Sequence, residues 1–355
     1  MKIKLFIAVV LLFVVWLQGE PKTQPGSDPV LVKTSTVQLI EIFRIADLKP
    51  APKPAYPVID SFFDIDGENC YYLIDGGNHR ILKYNPKKEF ICQIGSIGQG
   101  DKDLYHPAAI LIDGHSILVA DSGGQKIKRF SLSGEFISSF EIKDGIHLNT
   151  IEVSDGKIYC DIRFDSLDWN KRKLLSVFAT NGKYLVELGK GLDVPDWTSY
   201  RFFNSSLFRV RNNYIYGAFK HYPVMFKYTL DGRVIFYNNL GEMNISEITE
   251  KNKEVKEQGM DTPQKKISNQ QNMVKVKGYC SGFGVDDESH IYYGTLSSSG
   301  VSIILHFDAE GKLIERLILE KDNRPIKMMG FFIRKARKYV IGYVEKFADA
   351  GLFLL

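Results

Sequence analysis

Short apolar runs alternate with turn residues along most of the chain, and they recur at a regular spacing. Tyr71-Tyr72-Leu73-Ile74-Asp75-Gly76-Gly77-Asn78-His79-Arg80-Ile81-Leu82-Lys83-Tyr84 aligns without a gap on Ile117-Leu118-Val119-Ala120-Asp121-Ser122-Gly123-Gly124-Gln125-Lys126-Ile127-Lys128-Arg129-Phe130, 46 residues later. Each copy reads as a strand, an Asp, a glycine-rich tip, a basic residue and a second strand. A turn follows each copy, and the same turn recurs as Asn181-Gly182, Asp231-Gly232 and Glu310-Gly311. Such pairs between strand-like runs predict hairpins, because glycine accepts the positive φ the turn demands. The hydrophobic residues that close these turns are Phe90, Phe136, Tyr184, Val234 and Leu313, separated by 46, 48, 50 and 79 positions. The last interval is one period plus an insertion, placed at residues 241–277.

Two further strand-like runs precede each closing pair. The first set lies at 62–65, 109–112, 150–153, 207–210 and 282–285, and the second at 71–74, 117–120, 157–160, 214–217 and 291–294. Four short strands in about 45–50 residues are the unit of a β-propeller blade. Five units are explicit. A sixth is assembled from 328–333, 338–345 and 351–355, and lacks a fourth strand. The unused apolar run at 37–45 is predicted to supply it as the outer strand, which would leave no open sheet edge. The expected fold is therefore all-β: a six-bladed β-propeller closed by an N-terminal strand added to the last blade. The prolines of residues 48–57 favour an extended connection into the first blade.

Asp75-Gly76-Gly77-Asn78-His79-Arg80-Ile81, followed by Gly95-Ser96-Ile97-Gly98-Gln99-Gly100 and His106-Pro107-Ala108-Ala109-Ile110, resembles an NHL repeat. The likeness covers two blades, residues 60–145. Later blades keep the strand spacing and lose the Asn-His-Arg motif. The chain as a whole is similar to exported bacterial six-bladed propellers of the NHL and TolB-like kind.

Propellers bind at one end of the central channel, through the loops between second and third strands and those between blades. The candidate ligand-binding residues on such loops are Asp75, Asn78, His79, Arg80, His106, Asp121, Gln125, Asp165, Trp169, His221 and Tyr222. Asp75, Asn78 and Arg80 can equally hold their own turn, since Asp caps backbone N–H groups and Arg can pair with it. The loops at 163–171 and 193–200 mix Trp with acidic and polar residues, a composition suited to peptide or glycan recognition. Resemblance to amidating lyases of the NHL fold would imply a zinc-type site from His79, His106 and His221. Resemblance to sugar-lactonase propellers would imply calcium on Asp75, Asp121 and Asp165. No nucleophile elbow, P-loop, dinucleotide fingerprint or zinc-protease motif occurs.

The N-terminus carries an address. Lys2 and Lys4 precede an uncharged run at 5–17, the pattern of a secretory signal peptide over residues 1–19. An uncleaved segment would make it a membrane anchor. Residues 20–36 then read as a linker and 37–355 as the propeller. The 46 basic and 42 acidic residues leave a net charge of +4, too small an excess to suggest nucleic acid as the partner. Cys70, Cys92, Cys160 and Cys280 show no zinc-site spacing; an exported chain could pair them, but Cys70 and Cys160 sit in apolar strand-like runs and read as small buried thiols. Within the insertion, residues 247–258 are highly charged and read as an exposed helix. The expected function is a non-catalytic binding or scaffold module, exported and monomeric, for a protein, peptide or glycan ligand, without a cofactor. The alternative is a metal-dependent lyase or lactonase with its site at the channel mouth.

Overall fold

The computed structural model describes residues 32–45, 48, 63–142, 145–164, 169–194, 196–243, 245–257, 278–297, 299–334, 336–344 and 351–355. The expected signal peptide, most of the proline-rich connection and the second half of the insertion lie outside these residues. Two strands come first, β1 (Lys33–Gln38) and β2 (Ile40–Arg44). Blade one is β3 (Phe63–Ile65), β4 (Tyr71–Asp75), β5 (Arg80–Tyr84) and β6 (Phe90–Ile94). Blade two is β7 (Pro107–Asp113), β8 (Ser116–Asp121), β9 (Lys126–Ser131) and β10 (Phe136–Glu141). Blade three is β11 (Gly145–Ser154), β12 (Lys157–Phe164), β13 (Leu175–Ala179) and β14 (Tyr184–Leu188). A short helix α1 (Trp197–Phe203) leads to blade four: β15 (Ser206–Arg211), β16 (Tyr214–Phe219), β17 (Val224–Thr229) and β18 (Val234–Asn239). Helix α2 (Ser246–Glu257) precedes blade five: β19 (Gly282–Val285), β20 (Ile291–Leu296), β21 (Ser302–Phe307) and β22 (Leu313–Lys321). Blade six has β23 (Arg324–Arg334), β24 (Arg337–Val344) and β25 (Gly351–Leu354).

Every blade is an antiparallel meander, and β2 pairs antiparallel with β25 to complete the sixth. The fold is the six-bladed propeller with N-terminal closure that the repeat predicts. One detail differs. The apolar run at 37–45 is not a single strand but breaks at Leu39, whose N–H donates to the Glu320 carbonyl at 2.7 Å. Residues 33–38, mostly assigned to a linker from the sequence, form β1 and pair parallel with β22 as a fifth strand of blade five. The N-terminal segment therefore closes the ring across two neighbouring blades.

Turn chemistry repeats where the sequence pattern repeats. The turn between third and fourth strands needs a positive φ, which Gly134, Gly182, Gly232 and Gly311 supply and Lys88 adopts in blade one. A second turn also repeats. Asp66 accepts the N–H groups of Glu68 and Cys70 and the Tyr72 hydroxyl, while Asp286 accepts those of Glu288 and His290 and the Tyr292 hydroxyl. The two turns are superposable devices in blades one and five, each spending an Asp on orphan backbone donors.

The cores are layers between blades. One joins blades six, one and two through Phe43, Tyr72, Ile81 and Ile117; another joins blades four and five through Tyr216, Phe283 and Leu305. Helix α2 is not a solvated decoration. Ile248 is fully buried in the second core, and Lys251 is buried too, its Nζ donating to Thr295 Oγ1 at 2.8 Å. Among the described residues no helix is long and apolar enough to cross a membrane.

Candidate functional site: the loop face and the channel

Because strands alternate direction, the loops between second and third strands and those between blades share one end of the ring. The candidate residues among those described belong to that end. Asp75 and Arg80 sit at facing positions on β4 and β5, with Asp75 completely buried. Arg80 Nε donates to Asp75 Oδ2 at 2.7 Å, and Asn78 Nδ2 reaches both carboxylate oxygens at 2.9 and 3.1 Å. Arg80 continues to Gln93 Oε1 at 2.8 Å. The three side chains are thus committed to the turn and to tying β5 to β6. Asp121 holds the matching position in blade two with different partners. Its Oδ1 accepts the Tyr105 N–H at 2.6 Å, and the buried Lys128 ammonium stands 3.5 Å from Oδ2. Burial raises the Asp121 pKa, against the lowering effect of the Tyr105 N–H and Lys128.

His79 and Gln125 occupy the same turn position in their blades, with φ of 55° and 52°, and His106 has φ of 55°. Left-handed backbone at non-glycine residues concentrates at sites where surrounding contacts enforce it. Here the enforcing contact is visible: the His106 N–H donates to His79 Nδ1 at 2.9 Å. That bond makes Nδ1 an acceptor and leaves the proton of the neutral ring on Nε2. Burial lowers the His79 pKa, and the neighbouring His106 lowers it further. Tyr105 stacks on His79 with centroids 5.3 Å apart, and His106 meets His79 edge-on at 4.5 Å. Gly123 allows this close approach, since a Cβ there would lie 2.5 Å from the Tyr105 ring. Tyr105, which sequence reasoning passed over, completes a cluster of three rings on the rim.

His221 does not join them. It stacks on Phe202 at 4.0 Å in blade four, and Tyr222 beside it packs with the apolar side chains of blades three and four. The histidine set that a lyase-type metal would need is therefore not assembled. Among the described residues no group of three or more His, Cys, Asp or Glu side chains could hold a metal ion. Asp165 lies outside the described residues, and Trp169 opens a single 3-10 turn, Trp169–Lys171.

Two loops singled out by composition do meet. A recess of about 250 Å³ is lined by Asn170 and Lys171 of the first and Asp193 and Tyr200 of the second, together with the adjoining Arg172, Lys173, Gly189 and Lys190. Asp196 caps helix α1 by accepting the Ser199 N–H at 2.9 Å, and this places Tyr200, whose hydroxyl donates to the Lys173 carbonyl at 3.4 Å. Arg172 pairs with Glu187 at 2.7 Å. Four basic side chains against Glu187 and Asp193 leave the recess positive.

The channel at the opposite end holds charges that no motif announces. Asp64, fully buried, takes Arg334 through two bonds of 2.5 and 2.9 Å and also accepts the N–H groups of Ile65 and Ile112. Glu152 is shared by Arg209 at 3.5 Å and Arg211 at 3.4 Å.

A family model described as a 6-bladed beta-propeller, DUF5128, matches residues 64–293. No curated protein matches the chain. Among solved structures, a DUF4221 family member from Bacteroides vulgatus is similar with a TM-score of 0.58 at 10% identity, over 92% of this chain and 98% of its own. A Bacteroides fragilis protein described as a candidate for export has a TM-score of 0.55 at 10% identity, over 91% and 98%. A luciferin-regenerating enzyme follows at 0.50 and 11%, over 89% and 94%. At such identities these likenesses establish architecture alone.

Proposed function

The chain belongs to the DUF5128 family of six-bladed β-propellers, and on that premise we propose that it is an exported, NHL-like, non-catalytic module that binds a peptide, protein or glycan ligand bearing acidic groups. The carrying observation is the meeting of two loops in one basic recess, with Tyr200 on its wall and the His79–Tyr105–His106 rings on the same end of the ring. Aromatic faces beside cations are the means by which surfaces grip anionic glycans and acidic peptides. Asp75, Asn78 and Arg80, the most motif-like residues, are consumed by the turn and are assigned no ligand. Export is supported by the basic residues and apolar run at the N-terminus and by the description of the Bacteroides fragilis neighbour.

The test is a screen of the purified protein against an array of neutral and acidic glycans and a peptide library. A ligand should be recovered whose affinity falls about tenfold or more, ~1.4 kcal/mol, in the double variant Lys173→Glu/Lys190→Glu. Recovered ligands indifferent to that variant and to Tyr105→Ala would overturn the reading. So would a stoichiometric metal supporting turnover that disappears in His79→Ala.

A further inference from the structure

We propose that the central channel binds one small anion, of the halide or carboxylate class, against the guanidinium of Arg209. This does not rest on the ligand assigned above, since the residues lie away from the loop face, along the inner strands β3, β11, β15 and β23. The argument begins with charge. Arg209, Arg211 and Arg334 bring three cations, and Asp64 and Glu152 bring two anions. Asp64 is saturated: its two oxygens accept four N–H groups, two from Arg334 and two from backbone, which is about the capacity of a carboxylate. Glu152 must therefore serve both remaining arginines, and it reaches them only at 3.4–3.5 Å. One positive charge is left uncompensated.

That charge falls on Arg209. Among the described residues its hydrogen bond goes to the Phe208 carbonyl at 2.7 Å, and it makes no other beyond the long contact to Glu152. A guanidinium carries five N–H donors, so Arg209 keeps N–H groups that no protein acceptor among the described residues takes. Burial lowers its pKa, Glu152 and more weakly Asp64 oppose that, and Arg334 and Arg211 lower it further, so an added negative charge would favour the buried cation and offset the repulsion. Space is available beside it. A cavity of about 50 Å³ is lined by Arg209, Arg334, Glu152 and Thr150, with Phe63 and Phe332 as its apolar wall. At ~30 Å³ per water-sized group this admits one or two such groups, enough for a halide or a carboxylate head and too little for a sugar or a nucleotide.

Crystals of the full chain soaked in sodium bromide give the direct test. Bromide should appear by anomalous scattering within hydrogen-bonding distance of Arg209 in the wild type, vanish in Arg209→Gln, and gain occupancy in Glu152→Gln. Removing the competing carboxylate should raise affinity by roughly tenfold. Adding acetate to the soak separates the sources: displacement of bromide assigns the site to carboxylates, and retention assigns it to halides. A channel free of bromide while surface sites are occupied overturns the proposal, as does a peak that persists in Arg209→Gln. If Arg209→Gln does not fold, Glu152→Gln decides alone, and unchanged occupancy there counts against the site.

Discussion

At Asp75 and Arg80 two opposite charges lie almost wholly out of water, 2.7 Å apart, and neither is available to a ligand. Removing one partner strands the other, so Asp75→Ala should lower unfolding free energy by ~3–5 kcal/mol, read from urea denaturation followed by circular dichroism. A much smaller loss would return Asp75 to the list of ligand contacts. His79 gives the second prediction at this scale. Its folded pKa lies below the ordinary 6.5, because burial and His106 disfavour the imidazolium while Asp75 only partly opposes them. Protons then bind the unfolded chain more readily, so the contribution to stability is whole above pH 6.5 and is lost as pH falls through that value toward the folded pKa. Protonation also removes the acceptor that holds the His106 N–H. The urea midpoint should drop between pH 7.5 and pH 5.5, and the drop should shrink in His79→Asn, a residue that tolerates the same backbone. His306 is lowered in the same direction by burial, His290 and Lys338, and will keep part of the slope. The Asp-Asn-Arg motif was legible because its residues are near neighbours in sequence. The His79–His106 contact spans 27 positions and uses a backbone N–H, which no side-chain pattern records. Arg209, Arg211 and Arg334 were equally silent, since only the ring brings their strands together.

The closing strands show what can be tested one element at a time. β2 buries Phe43 in the core shared by blades six, one and two, and its backbone completes the sheet edge of β25. β1 is more exposed and adds a fifth strand to a sheet that is already four-stranded. Deleting residues 20–38 should therefore leave a folded propeller with a lower melting temperature. Phe43→Ala in the intact chain should cost ~3–5 kcal/mol, and deletion through residue 44 should give aggregation through the bared edge of β25. Melting followed by circular dichroism, with light scattering for the aggregate, ranks the three. Equal damage from both deletions would contradict the division of labour. The strands themselves were legible, because each blade presents its apolar runs with hairpin glycines between them. The break at Leu39 was not: Val37, Leu39 and Ile40 are all apolar, and what divides them is pairing with two different blades. Helix α2 was read as solvated for a related reason. Its buried side includes Lys251, whose charge is met by the Thr295 hydroxyl and the Tyr279 ring, partners 28 or more positions away.

On the scale of the ring, stability depends on how far blades share their cores. Each of the five large clusters draws side chains from at least two neighbouring blades, so no blade buries its own apolar face alone. That predicts one cooperative unfolding event rather than blade-by-blade loss, and the thiols are placed to detect it. All four cysteines are free: Cys70 and Cys92 in blade one, Cys160 in blade three, Cys280 at the entrance to blade five. Cys70, Cys160 and Cys280 are buried, and burial pushes the Cys160 thiol far above its ordinary pKa, with Asp161 adding to the effect. A buried, protonated thiol is a poor nucleophile. Ellman's reagent in native buffer should therefore leave Cys160 and Cys280 unmodified, with only the half-buried Cys92 reacting slowly. Along a urea series, Cys160 and Cys280 should become reactive at the same midpoint as the loss of ellipticity, because the sheets that cover them stand or fall together. Labelling of Cys160 at a lower urea concentration than Cys280 would mean that blade three opens by itself, and the ring would then be a chain of separable units instead of one body.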